Sequence, residues 1–108
     1  MRVLLDEQLD HRLRHDFGPQ FHVMTVAGRG WKGEKNGALL SLAAAEFDAF
    51  ITMDRGIEYE QNWTAIDLAI VLVIAKTNRY ADVKSLIPAI ESALAKAAPG
   101  QLVRVSSA

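Results

Sequence analysis

The chain reads as an α/β protein, a three-layer α/β/α sandwich around a mainly parallel central sheet of four to five strands. Two observations lead there. Short apolar runs of strand length alternate with segments of helical spacing, and such crossovers imply parallel neighbours in a sheet covered on both faces. Two of the runs, Val3 to Leu5 and Ala49 to Met53, are largely apolar, and each is followed at once by an acid, Asp6 and Asp54. The C-terminal ends of parallel strands are where open sheets bind ligands, so the acids stand where chemistry is expected.

Size and composition are consistent with a single domain over residues 1–108. Of its 108 residues, 50% are hydrophobic and 23% charged, which describes a globular and not a disordered chain. A domain of this length buries roughly two-thirds of the surface its unfolded chain exposes. A formal net charge of −1 argues against coating nucleic acid through bulk positive charge, so any contact with RNA needs a local patch. Cysteine is absent, which removes disulfides and thiolate chemistry. No run reaches the ~18 apolar residues of a membrane span, and no leader-like hydrophobic stretch follows a basic flank, so no membrane and a cytoplasmic location are expected.

The elements follow in order. Val3 to Leu5 form the first strand. Gln8 to Phe17 carry Leu9, Leu13 and Phe17 at four-residue spacing among Asp10, Arg12, Arg14 and Asp16, which predicts an amphipathic helix stopped by Gly18-Pro19. Phe21 to Val26 is the second strand, and the glycine-rich run from Ala27 to Gly33 is a loop at its C-terminal end. Asn36 to Phe47 returns to helical spacing, with Leu39, Leu40, Leu42, Ala43 and Phe47 as its apolar side. The third strand, Ala49 to Met53, is followed by a polar loop or short helix over Arg55 to Trp63. Leu68 to Ile74 suits a central strand, covered on both faces. A helix from about Tyr80 to Ala97 contains Pro88, which kinks it or marks a second start. Pro99-Gly100 ends that helix, and Leu102 to Val105 is an edge strand.

This order places Asp6, Glu7, the loop up to Asn36, Asp54, Arg55, Asn78 and Arg79 on one rim of the sheet. Glu46, Asp48 and Asp67 fall on the opposite rim. The histidines His11 and His15 stand four apart, a spacing that can hold a transition metal on an α-helix, but no third ligand accompanies them. No nucleophile triad and no phosphate-cradling glycine loop are present.

Leu4 to Glu7, Lys35 to Leu40, Phe47 to Asp54, Gln61-Asn62 and Asn78-Arg79, in this order and spacing, resemble the short PIN-like proteins of bacteria. These are catalogued as a domain of unknown function and regarded as toxins of toxin–antitoxin pairs. The resemblance runs from Met1 to about Leu94. It implies a PIN-like fold and a metal-dependent endoribonuclease acting on phosphodiester bonds, with a small helical antitoxin as partner, RNA as substrate and homo-oligomers within reach. It also implies Mg²⁺ or Mn²⁺, weakly bound, held by Asp6 and Asp54 as the catalytic acids with Glu7 and Asn36 in support. Arg55, Asn78, Arg79, Arg29 and Lys32 are the expected substrate contacts, and Trp31 is a candidate for stacking a base.

The chain departs from the nuclease pattern at Asn36, where a further acid is expected; Glu34 lies near enough to replace it. A second reading therefore stands beside the first, a catalytically weak or inactive PIN-like module that binds RNA or a protein partner. Plainer roles also exist for single residues. Asp6 and Asn36 can cap helices, Glu7 suits the first turn of one, Asn78-Arg79 can be a turn, and the loop of Arg29, Trp31 and Lys32 can face a partner.

Overall fold

The computed structural model describes residues 1–34, 36–60 and 63–107, without the side chains of Asn36 and Glu60. Lys35, Gln61 and Asn62, which contribute to the PIN-like motifs, lie outside the described residues. Five strands, β1 (Arg2–Leu5), β2 (His22–Thr25), β3 (Ala49–Thr52), β4 (Ala69–Ile74) and β5 (Leu102–Ser106), form one sheet in the order β2-β1-β3-β4-β5. Every neighbouring pair is parallel, as the crossovers predict.

Alternation along the strands sorts the core into two layers. Val3, Leu5, Ala49, Ile51, Val71 and Val73 face one side, where Leu9, Leu13, Val83, Ile87, Ile90 and Leu94 cover them. Leu4, Phe50 and Ile70 face the other, under Leu39, Leu40, Ala43, Phe47 and Ile57. The covering helices are α1 (Asn36–Glu46) and α2 (Ile57–Glu60) on the second face, and α3 (Tyr80–Lys84) and α4 (Ile87–Lys96) on the first. The molecule is thus a three-layer α/β/α arrangement, with β3 central and β5 at an edge. No helix among the described residues is long and apolar enough to cross a membrane.

Three elements differ from the sequence expectation, each for a local reason. Between β1 and β2 there is no α-helix but a 3-10 turn, His11–His15. Asp10 starts it: its carboxylate accepts the backbone N–H of Arg12 at 2.9 Å and the Arg12 guanidinium at 3.0 and 2.8 Å, so it caps a turn where a helix interior was expected. The histidine spacing then loses its meaning, because at about three residues per turn i and i+4 do not share a face. The helix expected over Tyr80 to Ala97 is two helices. Pro88 sits in the first turn of α4, and its ring would collide with the carbonyl of Lys84, the last residue of α3. In α1, Leu39, Leu40 and Ala43 are buried as expected, but Leu42 is exposed: although it stands three residues after Leu39, at about 100° per residue it points away from the face that Leu40 and Ala43 centre.

Candidate functional site

The strand order reverses direction at β1: the chain goes from β1 out to β2, then returns past it to β3. In doubly wound sheets such a switch point leaves a crevice above the strand ends, because the following segments depart to opposite sides. β1 and β3 end here, and their register pairs Leu4 with Phe50 and Leu5 with Ile51. One step further, Asp6 stands beside Thr52, not beside Asp54.

Asp6 and Thr52 are the buried polar residues among those described, 5% and 0% exposed in a core that is otherwise apolar. The Thr52 hydroxyl donates to Asp6 Oδ2 at 2.7 Å and accepts the backbone N–H of Asp54 at 3.0 Å. Asp6 Oδ1 accepts the backbone N–H of Glu7 at 2.9 Å. Loss of hydration on burial pushes the Asp6 carboxyl above the ordinary carboxylate range; hydrogen bonds from Thr52, the Glu7 amide and Gln8 pull it part of the way back, and the Glu7 charge pushes it up again. Among the described residues no ion pair reaches Asp6. A buried carboxylate without a positive partner is costly unless a cation or a proton supplies what the fold does not.

Asp6 also lines a cleft of about 550 Å³ that opens over the rim. Glu7, Gln8, Asp10 and His11 form one wall, Thr25, Ala27 and Lys32 a second, and Asn78, Arg79 and Tyr80 a third. The walls are pinned by their own side chains. Asn78 Nδ2 donates to the carbonyl of Gln8 at 3.2 Å, and the Tyr80 hydroxyl donates to Asp16 at 2.5 Å with the Arg12 guanidinium 4.4 Å over its ring. Thr77 accepts the Arg79 N–H at 3.0 Å and holds the start of α3, which leaves the exposed Arg79 side chain free of the cap.

The structure therefore gathers some of the expected site residues and separates others. Asp6, Glu7, Lys32, Asn78 and Arg79 share the cleft. Asp54 lies two residues past the register partner of Asp6, half-buried; its Oδ1 accepts the Gly56 N–H at 2.9 Å, and it does not line the cleft, nor does the exposed Arg55. Arg29 and Trp31 fold back along α1: Arg29 binds both oxygens of Glu46 at 2.7 and 2.8 Å, lies 4.9 Å over Trp31, and Trp31 meets Phe47 edge to face at 6.0 Å. Asn36 opens α1 at this rim, its side chain outside the described residues. Glu34 is exposed and does not line the cleft.

Thr52 is the residue that the sequence reading passed over, along with Gln8, Tyr80 and the cleft position of His11. A signal for Thr52 existed: counting from the aligned apolar runs, Leu4-Leu5-Asp6 against Phe50-Ile51-Thr52, puts the hydroxyl opposite the acid. No protein-family model, curated protein or solved structure matches this chain.

For a Mg²⁺ or Mn²⁺ ion the donor chemistry fits. The oxygens are hard, and Mg²⁺ commonly takes one or two carboxylates, keeps several waters and completes its shell with substrate phosphate. Asp54 follows the end of β3 by two residues, and the uncompensated burial of Asp6 is what a bound cation would relieve. No three His, Cys, Asp or Glu side chains among the described residues form a closed metal cage.

Proposed function

We propose that the protein is a PIN-like endoribonuclease, the toxin of a toxin–antitoxin pair, whose active rim is the β1/β3 switch point. The observation that carries this reading is Asp6: a buried carboxylate with no counter-charge at the ligand-binding end of the sheet, lining a cleft with two cations, Lys32 and Arg79. Asp6 and Asp54 would hold Mg²⁺ or Mn²⁺, assisted by Glu7 and Asn36. When bound, the cation would make coordinated water more acidic and offset the charge that builds on the scissile phosphate. The protein's own part is positional. Thr52 and the Glu7 amide fix the orientation of Asp6, while Lys32, Arg79 and Asn78 draw in and orient the phosphodiester backbone. A small helical antitoxin that covers this rim, and self-association, belong to the same reading.

The test is Mn²⁺ titration of wild type and of Asp6→Asn combined with Asp54→Asn, read by thermal stability and by cleavage of unstructured RNA. Wild type gains stability and cuts; the double variant does neither. Identical behaviour of the two proteins removes the nuclease reading. The second reading, a module that binds RNA or a protein without cutting, is favoured by one observation, the absence of a three-acid cluster among the described residues. It predicts RNA retention by wild type that is indifferent to Mn²⁺ and leaves the RNA intact.

A further inference from the structure

We propose that Thr52 is the positioning residue of this site: its hydroxyl ties the Asp6 carboxylate to the backbone of Asp54 and so sets the two acids in one fixed arrangement for a shared divalent cation. The proposal rests on the cation reading above and adds to it a residue that carries no charge and lines no cleft.

Thr52 is the last residue of β3 and the single polar side chain of that strand. Its neighbours Phe50 and Ile51 are fully buried and apolar, and a valine of the same shape would satisfy strand propensity and packing there. A hydroxyl in that place is costly unless both of its bonding functions are met. They are met by partners that matter. The Asp54 N–H can only donate, so at 3.0 Å it fills an acceptor site on Oγ1 and leaves the single hydroxyl proton to point at Asp6 Oδ2, 2.7 Å away. The direction of the chain is thereby fixed, from the Asp54 amide through Thr52 to Asp6.

Two consequences follow. Asp6 Oδ2 accepts from Thr52 and Oδ1 from the Glu7 N–H, with the Gln8 side chain as a further hydrogen-bonding neighbour, so its carboxylate plane is held from both ends. The turn carrying Asp54 is anchored at its first amide, while Asp54 Oδ1 is occupied by the Gly56 N–H at 2.9 Å. Loss of the hydroxyl would release both acids together. Partners that orient metal-binding carboxylates without touching the ion typically change metal affinity by about 10–100-fold.

The experiment compares wild type, Thr52→Val and Thr52→Ser by amide hydrogen exchange at Asp54 without metal, by Mn²⁺ affinity, and by melting temperature. Thr52→Val is expected to speed exchange of the Asp54 amide at least about tenfold and to weaken Mn²⁺ binding by about 10–100-fold, while distant core amides stay protected. Thr52→Ser, which keeps the hydroxyl, restores both readouts to near wild type. A valine variant with wild-type Asp54 protection and Mn²⁺ affinity overturns the proposal. Should Thr52→Val fail to fold, Thr52→Ser decides: retained Mn²⁺ affinity and Asp54 protection support the role, and loss of either despite the hydroxyl overturns it. Should wild type bind no Mn²⁺, the cation reading falls, and the Asp54 exchange comparison still decides whether the hydroxyl ties the two acids together.

Discussion

The two rims of the sheet both carry acids and a depression, and they treat those acids in opposite ways. At the N-terminal rim, a pocket of about 420 Å³ has Glu46, Asp48 and Asp67 in its wall. Glu46 is paired with Arg29, and Asp48 accepts the backbone N–H of Arg2 at 2.8 Å in an exposed position. At the C-terminal rim, Asp6 is buried and its partners are the Thr52 hydroxyl, the Glu7 amide and the Gln8 side chain, with no cation among them. The number of acids is similar; what differs is who compensates the charge. Where the fold supplies the counter-charge or leaves the group in water, the charge is already compensated, and where it buries the group without one, the charge is left for a ligand or a proton to offset.

Neutralising one acid on each rim should have opposite outcomes. Asp6→Asn is expected to abolish the Mn²⁺-dependent gain in melting temperature and to lower RNA cleavage at least about 100-fold, equivalent to ~2.7 kcal/mol of barrier. Asp48→Asn, which keeps an acceptor for the Arg2 amide, should leave both within about twofold. Equal losses from the two substitutions would show that the rims do not differ in function.

A second substitution asks whether the N-terminal rim is important for folding alone. Gly100 sits at φ +80°, and a Cβ placed on it would lie 2.8 Å from the carbonyl oxygen of Thr64. Gly100→Ala combines left-handed backbone with a backbone clash, so urea unfolding should show a loss of about 1–3 kcal/mol. Its Mn²⁺ response should match wild type. A weakened response would mean that the entry to β5 is coupled to the distant cleft.

The third test is pH. The folded-state pKa of Asp6 lies above its ordinary 3.8, so the folded protein holds this proton more tightly than the unfolded chain. At this site stability therefore rises as pH falls through the raised value, and levels off below 3.8. Asp10 behaves oppositely: the Arg12 side chain, then the Arg12 amide, hold it down to about 2, so its contribution is present above 3.8 and lost as pH falls through about 2. Urea unfolding of wild type, Asp6→Asn and Asp10→Asn from pH 7 downward separates them. The difference between Asp6→Asn and wild type should change between neutral pH and pH 4; a constant difference would show that burial of Asp6 has no electrostatic cost.

Much of this was legible in the chain, and the exceptions share a cause. Runs such as Leu68 to Ile74 announce a doubly covered strand because burial on both faces demands apolar residues at every position, and strand plus crossover then fixes the parallel sheet. The rim assignment of Asp6, Asn78 and Arg79, and of Asp48 and Asp67 opposite, follows from counting strand ends. What counting could not show depends on long-range partners or local competition. Arg29 and Trp31 looked like rim residues because they follow β2, yet Glu46 and Phe47 draw them back along α1. Asp54 looked like the equal of Asp6 because each follows an apolar run, but the runs differ in length and the register gives Thr52 that place. Asp10 looked like a helix-interior residue until its bonds to Arg12 made it a cap.

The smallest effect expected concerns the Arg29–Glu46 pair, and it tests the comparison from the structural side. Both side chains are about a third exposed, 31% and 36%, so solvent screens part of the attraction. A single guanidinium nitrogen, Nη2, nonetheless reaches both carboxylate oxygens and the guanidinium lies over Trp31, while Arg29 Nε is buried without a partner, which subtracts from the gain. A double-mutant cycle with Arg29→Met and Glu46→Gln should therefore return a coupling of about 0.5–1 kcal/mol, at the upper end for exposed pairs. The coupling should shrink as salt is raised, because partial exposure admits screening. RNA cleavage and Mn²⁺ affinity should be unchanged in both single variants, since the pair ties Arg29 to the end of α1 and neither Arg29 nor Glu46 lines the cleft. If Glu46→Gln weakened Mn²⁺ binding instead, the fold-supplied cation would be acting on the site from outside the cleft, and the division between compensated and uncompensated acids would have to be redrawn.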